Sequence, residues 1–279
     1  MEHSMETLQA CNDVVRRFEA ACKKTVHRTG ARYRCGVDLG TACVVTAVVD
    51  ETGTPVAGQY QYADVVRDGM VVDYIRAVDL VREMKRKLET ALGAELLYAA
   101  AAIPPGTDAL DGGAVKNVVQ AAGFELTALL DESTAANAVL HIQNGAIVDI
   151  GGGTTGISIL QGGRVVYAGD EATGGTHFSL ALAGAMRLPY EEAERYKRDP
   201  AHHRELLPIL KPVIEKVASI IARHISGWDV GEIYLIGGTS CLGGMEVLLS
   251  EKLGIPVYKP ENPMFVTPVG IALSCLEPD

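Results

Sequence analysis

The 279-residue chain has no apolar run long enough to cross a bilayer. Its longest, Leu96 to Ile103, falls far short of the ~20 residues that a membrane-spanning helix needs. It has no excess of positive charge. Lys and Arg total 25 against 35 Asp and Glu, the net charge is -10 and the pI is near 5.2, which argues against a nucleic-acid backbone as a general partner. A nucleotide stays compatible with that charge, because magnesium and backbone N–H groups neutralise a small polyphosphate. The six cysteines (Cys11, Cys22, Cys35, Cys43, Cys241 and Cys275) contain no Cys-x-x-Cys pair, and no histidine sits at zinc-finger spacing from them. They read as reduced thiols of a cytoplasmic protein. The N-terminus places Glu2, Glu6, Asp13, Arg16 and Arg17 where a secretory signal needs an apolar core. What is present is a globular composition, 48% hydrophobic and 22% charged, sufficient for one large domain or two compact ones and contrary to disorder.

Residues 4–29 carry Leu8, Cys11, Val15, Phe18 and Cys22 at spacings of three and four, which predicts an amphipathic helix, favoured as packed on its own domain, with docking to a partner as the alternative. The rest is organised by an internal repeat. Val37-Asp38-Leu39-Gly40 aligns with Val148-Asp149-Ile150-Gly151, and the match runs without gaps to Ala57-Gly58 over Ala168-Gly169. Both copies read as strand, Gly/Thr turn, strand, short turn, strand, with second strands at Val44–Asp50 and Gly156–Gln161. The similarity returns further on. A buried strand at Leu97–Ile103 precedes Pro104-Pro105-Gly106-Thr107, and another at Glu232–Ile236 precedes Gly237-Gly238-Thr239. Each is followed by a helix (about 111–122 and 242–253), a Gly with a short strand (123–126 and 254–257), and a small-residue helix start at Thr134 and at Thr267. A duplicated α/β unit explains this order; a solenoid, whose repeats are short and number at least three, does not. The expected division is a helix at 1–29, a first lobe at 30–145 plus 266–279, and a second lobe at 146–265, with a ligand cleft between the lobes.

Three further helices are expected. Residues 73–91 turn Ile75, Val78, Leu80, Val81, Met84, Leu88 and Leu92 inward, residues 190–198 are charged, and residues 209–226 carry a buried stripe from Ile209 to Ile225. The Lys/Arg run at 82–87 reads as a solvated helix face, His202-His203 as a solvated turn, Trp228 as a core anchor, and Cys43 as a packed thiol.

The turns carry the chemistry. Asp38 ends a strand just before Gly40-Thr41, and Asp149 just before Gly151-Gly152-Gly153-Thr154-Thr155. Glycines let backbone N–H groups approach a ligand with no Cβ in the way, and successive N–H groups form an anion nest suited to phosphate. A carboxylate beside each nest repels phosphate unless a cation lies between them, so the pair points to Mg2+. One such hairpin alone is more often a tight turn with a locally satisfied Asp; two matched hairpins in a duplicated chain favour a Mg-nucleotide clamp.

Asp38-Leu39-Gly40-Thr41, Asp149-Ile150-Gly151-Gly152-Gly153-Thr154 and Leu235-Ile236-Gly237-Gly238-Thr239-Ser240 resemble the first phosphate, second phosphate and adenosine motifs of the actin/DnaK/sugar-kinase ATPase superfamily. Asp131-Glu132-Ser133-Thr134-Ala135-Ala136 resembles its connecting motif, Pro268-Val269-Gly270-Ile271-Ala272 its second connecting helix, and Ala193-Glu194 with Lys197 the helix that holds ribose and adenine. The resemblance covers about residues 33–275. It implies a duplicated actin-like (ribonuclease H-like) α/β fold with two lobes around a nucleotide cleft. Asp38 and Asp149 would hold Mg2+ through water. Thr41 and Thr154, with the N–H groups of Gly40, Gly152 and Gly153, would bond the β- and γ-phosphates of ATP or ADP. Glu132 would orient the attacking water, Gly237, Gly238 and Ser240 would pack under the adenosine, and Glu194 and Lys197 would meet the ribose. Ala42 replaces a second Thr of DnaK, Gly156 replaces an Asp, and the catalytic Lys of DnaK has no counterpart between Tyr62 and Asp73, so slow turnover or nucleotide binding as a switch is implied.

Within the superfamily the short length, the Val65–Gly69 stretch and the N-terminal helix are most similar to the EutJ family of ethanolamine utilisation. That likeness implies a cytoplasmic, chaperone-like role toward a protein client or a component of a bacterial microcompartment, with no membrane or nucleic-acid partner. A reactivating factor for a cobalamin enzyme, and a PilM-, FtsA- or MreB-like scaffold, are the alternatives. A small-molecule kinase is disfavoured for want of a clear general-base Asp.

Overall fold

The computed structural model describes residues 2–27, 32–67, 69–105 and 109–276. The chain divides into two units, Met1–His141 with Phe265–Asp279, and Ile142–Met264. The first unit holds a five-stranded sheet of β1 (Tyr33–Leu39), β2 (Cys43–Asp50), β3 (Pro55–Tyr62), β6 (Tyr98–Ile103) and β7 (Glu125–Asp131), ordered β3-β2-β1-β6-β7. The small hairpin of β4 (Val66–Arg67) and β5 (Met70–Val71) stands apart from it. The second unit repeats the plan with β8 (Gly145–Ile150), β9 (Thr155–Gln161), β10 (Arg164–Glu171), β11 (Ile233–Ile236) and β12 (Val257–Tyr258), ordered β10-β9-β8-β11-β12.

The duplication extends to hydrogen-bond register. Asp38 pairs with Val45 and Leu39 with Val44 in the first sheet; Asp149 pairs with Gly156 and Ile150 with Thr155 in the second. Because a one-residue slip would send every side chain to the opposite face, equal registers place the two aspartates equivalently on their sheets. In each unit the first hairpin is antiparallel and the next two strands run parallel to its first strand.

Helices cover the sheets. In the first unit these are α1 (Glu2–Lys23), α2 (Tyr74–Leu92), α3 (Ala109–Ala121), α4 (Glu132–Leu140) and α9 (Val266–Leu273); in the second, α5 (Gly175–Met186), α6 (Tyr190–Arg198), α7 (His203–Ile225) and α8 (Met245–Leu253). Each unit buries its own apolar core. Val37, Val48, Leu88 and Val118 belong to the first, and Val148, Ile159, Leu210 and Ile221 to the second. The α1 helix lies against β3, with Cys11, Val15 and Phe18 fully buried. The helix ends at Lys23, short of the expected 4–29 span, with residues 24–27 already outside it; residues 28 and 29 lie outside the described residues, as do Gly106 and Thr107 of the expected turn.

Several local expectations are corrected. Ile75 is 74% exposed, because it sits on the outer side of the first turn of α2 while Val78, Leu80, Val81, Met84, Leu88 and Leu92 are buried. Leu97 is half exposed and β6 starts one residue later. Lys85 is not solvated: it pairs with Glu89 at 2.6 Å and lies 5.3 Å from the Phe124 ring centroid. The α7 helix begins at His203 and runs through Pro208 and Pro212. Trp228 is about one-third exposed and leans on Tyr167, with ring centroids 5.6 Å apart. His203 is buried: Gly243 N–H donates to its Nδ1 at 2.9 Å and its Nε2 lies 3.1 Å from the Lys197 carbonyl oxygen, so only His202 of that pair stays near solvent.

Candidate functional site

In a parallel α/β sheet, ligands gather at the carboxyl ends of the strands, where loops are free of the ladder. The sequence-predicted residues fall at those ends in both units. In the first unit, Asp38 is the penultimate residue of β1, Gly40 and Thr41 follow the strand's end, and Glu132 follows the end of β7, two strands away in the same parallel set. In the second, Asp149 and the Gly151–Thr154 turn end β8, and Gly237, Gly238 and Ser240 end the neighbouring β11.

The second unit's turn is the more constrained. Gly151 N–H donates to the Thr154 carbonyl at 3.0 Å and closes the turn. Among the described residues the N–H groups of Gly152, Gly153 and Thr154 make no hydrogen bond within the protein. The carbonyls are occupied instead. Gly151 O accepts Gly175 N–H at 2.9 Å and the Thr239 hydroxyl at 2.7 Å, while Gly152 O accepts Thr176 N–H at 2.8 Å and its hydroxyl at 3.1 Å. With the carbonyls held by the start of α5 and by Thr239, three successive donors are left for an anion.

The β11 loop packs against the same strand. Gly237 adopts φ +89°, and a Cβ there would lie 2.2 Å from Asp149 Oδ1 and 2.7 Å from the Ile150 carbonyl oxygen. Only glycine satisfies both the left-handed backbone and this approach. The Ser240 hydroxyl donates to Ile236 O at 2.7 Å and is fully buried, so its oxygen is engaged in holding the loop. Gly238 is exposed.

Glu194 and Lys197 form a buried pair on α6. Lys197 Nζ donates to Glu194 Oε2 at 2.7 Å and to the Gly175 carbonyl at 2.9 Å; Ser179 Oγ also donates to Glu194, and Arg198 Nε reaches its Oε1 at 2.7 Å. Burial pushes the Glu194 carboxyl up, but the Lys197 charge, the hydrogen bonds from Lys197 and Ser179 and the Arg198 charge together hold it below the usual carboxylate range. Burial draws Lys197 below the usual lysine value, with Glu194 opposing it. These two side chains brace the first turn of α5, which in turn holds the phosphate-like turn.

In the first unit, Asp131 caps α4: its Oδ1 accepts Thr134 N–H at 2.8 Å and its Oδ2 the Thr134 hydroxyl at 2.5 Å. The cap fixes Glu132 as the first residue of the helix, half-buried. Asp38, Gly40, Thr41, Asp149, Gly151, Gly152 and Thr154 are likewise half-buried, and Gly153 is buried. Among the described residues no three His, Cys, Asp or Glu side chains group so as to ligate a metal by themselves. Sequence reasoning missed Thr239, Gly175, Thr176 and Ser179 as supports of the turn. The run Thr173-Gly174-Gly175-Thr176, glycine-rich and flanked by hydroxyls, was the signal for two of them, Gly175 and Thr176.

Two units of this strand order, each with a Gly/Thr hairpin turn at the end of its first parallel strand, define the actin-like ATPase fold. A family profile described as type IV pilus assembly protein PilM matches residues 116–265. The crystal structure of MreB5 of Spiroplasma citri bound to ADP superposes with a TM-score of 0.68 at 19% identity, over 86% of this chain and 94% of that one. The ethanolamine utilization protein EutJ of Salmonella typhimurium is 46% identical over 256 residues, 91% of this chain and 90% of that protein. The crystal structure of EutJ from Carboxydothermus hydrogenoformans superposes with a TM-score of 0.89 at 46% identity, covering 97% of this chain and 98% of that one. The chain belongs to the EutJ family, and through it to the actin-like ATPase superfamily.

Proposed function

We propose that this protein binds Mg-ATP, turns it over slowly, and uses the bound nucleotide to govern a chaperone-like association with a protein client or microcompartment component of ethanolamine utilisation. The observation that carries the reading is the run of three backbone donors at Gly152, Gly153 and Thr154, with the Asp149 carboxylate three to five residues before them at the end of β8. Donors in that arrangement fit phosphate oxygens, and a half-buried carboxylate beside them fits a hydrated cation carried in with the phosphates. Magnesium, when bound, neutralises phosphate charge.

The reading gives each residue a role. In the second unit the turn N–H groups and the Thr154 hydroxyl would bind phosphate oxygens, and Asp149 would help to hold a hydrated cation. Gly237 and Gly238 offer flat backbone to the adenosine while Ser240 fixes their loop, and Glu194 and Lys197 stand on the ribose side. In the first unit Gly40 and Thr41 would offer the equivalent phosphate donors, Asp38 the equivalent carboxylate for a hydrated ion, and Glu132, set by its cap, would orient water. With little covalent chemistry for a protein to perform in phosphoryl transfer, such positioning is sufficient for slow turnover. ADP- and AMPPNP-bound structures of the MreB5 relative support nucleotide as the ligand class.

Calorimetric titration with ATP, with and without Mg2+, tests the reading. Binding in the presence of Mg2+ is expected, with loss in its absence and in Asp149→Ala; equal affinity in all three arms would sink it. A second reading, a nucleotide-dependent scaffold, is favoured by the PilM-type match over residues 116–265. Sedimentation that depends on nucleotide would select it over the chaperone-like role.

A further inference from the structure

The second unit holds a connection that the nucleotide reading does not require. Thr239 is 7% exposed, and its side chain faces the phosphate-like turn rather than solvent. Its hydroxyl donates to Gly151 O at 2.7 Å and shares that acceptor with Gly175 N–H at 2.9 Å. A Cβ on Gly175 would come within 2.5 Å of Thr239 Oγ1 and 3.0 Å of Lys197 Nζ, so the hydroxyl and the ammonium occupy the space that a side chain at 175 would fill. Lys197 Nζ in turn holds the Gly175 carbonyl at 2.9 Å. The β11 loop and the first turn of α5 therefore converge on one peptide group, Gly151–Gly152, with α6 bracing that turn at Gly175, and the Thr239 hydroxyl is the contribution of the β11 loop.

That peptide group matters for its other end. Its carbonyl belongs to Gly151 and its N–H to Gly152, the first of the three unpaired donors. Fixing the carbonyl fixes the direction of the N–H, because the six atoms of a peptide are coplanar. We infer that Thr239 is a positioning residue. By holding the Gly151 carbonyl it aims the donors of the phosphate turn, and it ties them to the loop that would lie under the adenosine. The inference rests on the nucleotide reading above and names a group outside it. Thr239 touches no phosphate in this scheme and acts only through Gly151.

The chemistry separates this role from simple packing. Valine replaces threonine at nearly constant shape and removes only the hydroxyl, leaving Gly151 O with Gly175 N–H as its remaining donor; serine restores the hydroxyl without the methyl. Loss of one hydrogen bond at a donor-aiming carbonyl is worth about tenfold in affinity. Thr239→Val is expected to weaken ATP about tenfold and to leave AMP within about twofold, since AMP lacks the β- and γ-phosphates. Thr239→Ser is expected to stay within about threefold of the parent for ATP. The ligand-free protein gives a second readout: the Gly152 amide resonance should move in the valine variant and return toward its parent position in the serine variant.

If the parent protein binds ATP and Thr239→Val binds it equally well, the inference is overturned while the nucleotide reading stands. Equal losses for ATP and AMP, or failure of serine to restore ATP binding, reduce Thr239 to packing and overturn it as well. Failure of the parent to bind ATP removes both together. An unmoved Gly152 resonance in the valine variant overturns the inference without any ligand.

Discussion

At the scale of single residues the second unit is organised around groups that are costly to bury. Glu194 and Lys197 are the clearest. A buried pair is destabilising to break, because the survivor keeps its desolvation cost without its partner. Glu194→Gln is expected to lower stability at pH 7 by about 3 kcal/mol. The sign of its pH dependence follows from the folded state. Glu194 holds its proton less tightly when folded than its ordinary value of 4.5, so its contribution is present above that pH and is lost as pH falls through the folded pKa. Lys197, drawn below its ordinary value of 10.5, opposes folding at neutral pH and eases only as it deprotonates, so it contributes nothing to the acid limb. Urea unfolding at several pH values checks this. The gap between parent and variant should be widest near neutrality and narrow below pH 4.5, and a constant gap would refute the assignment. At Gly237, alanine must accept φ +89° and a contact of 2.2 Å with Asp149 Oδ1. The expected cost is about 2 kcal/mol or more, read as a fall in the urea midpoint, together with loss of Mg-dependent ATP binding.

At the scale of elements, what was legible depended on whether a local pattern met a local cause. The paired hairpins were legible because Asp-x-Gly turns and β-branched strands repeat in sequence, and the structure reproduces them with matching registers. The start of α7 was not legible: proline disrupts a helix interior, and Pro208, which lies inside α7 with Pro212, stands immediately before the expected span of 209–226. Both prolines are exposed, so the carbonyls they release at Arg204 and Pro208 lie on the watery side, while Leu206, Leu210, Ile214, Val217 and Ile221 anchor the opposite face. Thr239 was illegible as a support because its partner, Gly151, is 88 residues away in sequence. The α1 helix shows the reverse case, a stripe whose docking surface could not be read from its own residues. That surface is β3, where a Cβ at Gly58 would lie 2.4 Å from Phe18 Cε2 and 2.6 Å from Cys22 Sγ. Burial pushes the Cys11 and Cys22 thiols up to about 12, and Glu19 adds to the shift at Cys22, so both are expected to react slowly with iodoacetamide at pH 8. Gly58→Ala should lever this end of α1 away from the strand and raise the Cys22 alkylation rate about tenfold or more, with Cys11 less affected. An unchanged Cys22 rate, followed by mass spectrometry, would show that the helix end is not held there.

At the scale of the whole molecule the two units share an ancestral plan but not a chain topology. The second is one continuous segment, Ile142–Met264, whereas the first is closed by a return of the chain, Phe265–Asp279. That return is built into the first unit's interior. A Cβ on Gly36 of β1 would lie 2.4 Å from Ala272 N, and Ile271 and Cys275 are fully buried in a cluster with Ala100, Ala102 and Ala135. Removing α9 would therefore expose the apolar face of the first sheet and leave a groove where backbone met backbone. In the second sheet the core on one face, with Val148, Ile159, Phe178, Leu210, Ile221 and Leu235, is drawn from within its own segment. A fragment of residues 142–264 is therefore expected to fold alone with a cooperative thermal transition, and a fragment of residues 1–141 is not. Adding back residues 265–279 through a short flexible linker after His141 should restore cooperative melting to the latter. Circular dichroism of the three fragments is decisive: a 1–141 fragment that melts cooperatively without α9, or a 142–264 fragment that stays unfolded, would mean that core placement does not set the folding units of this chain.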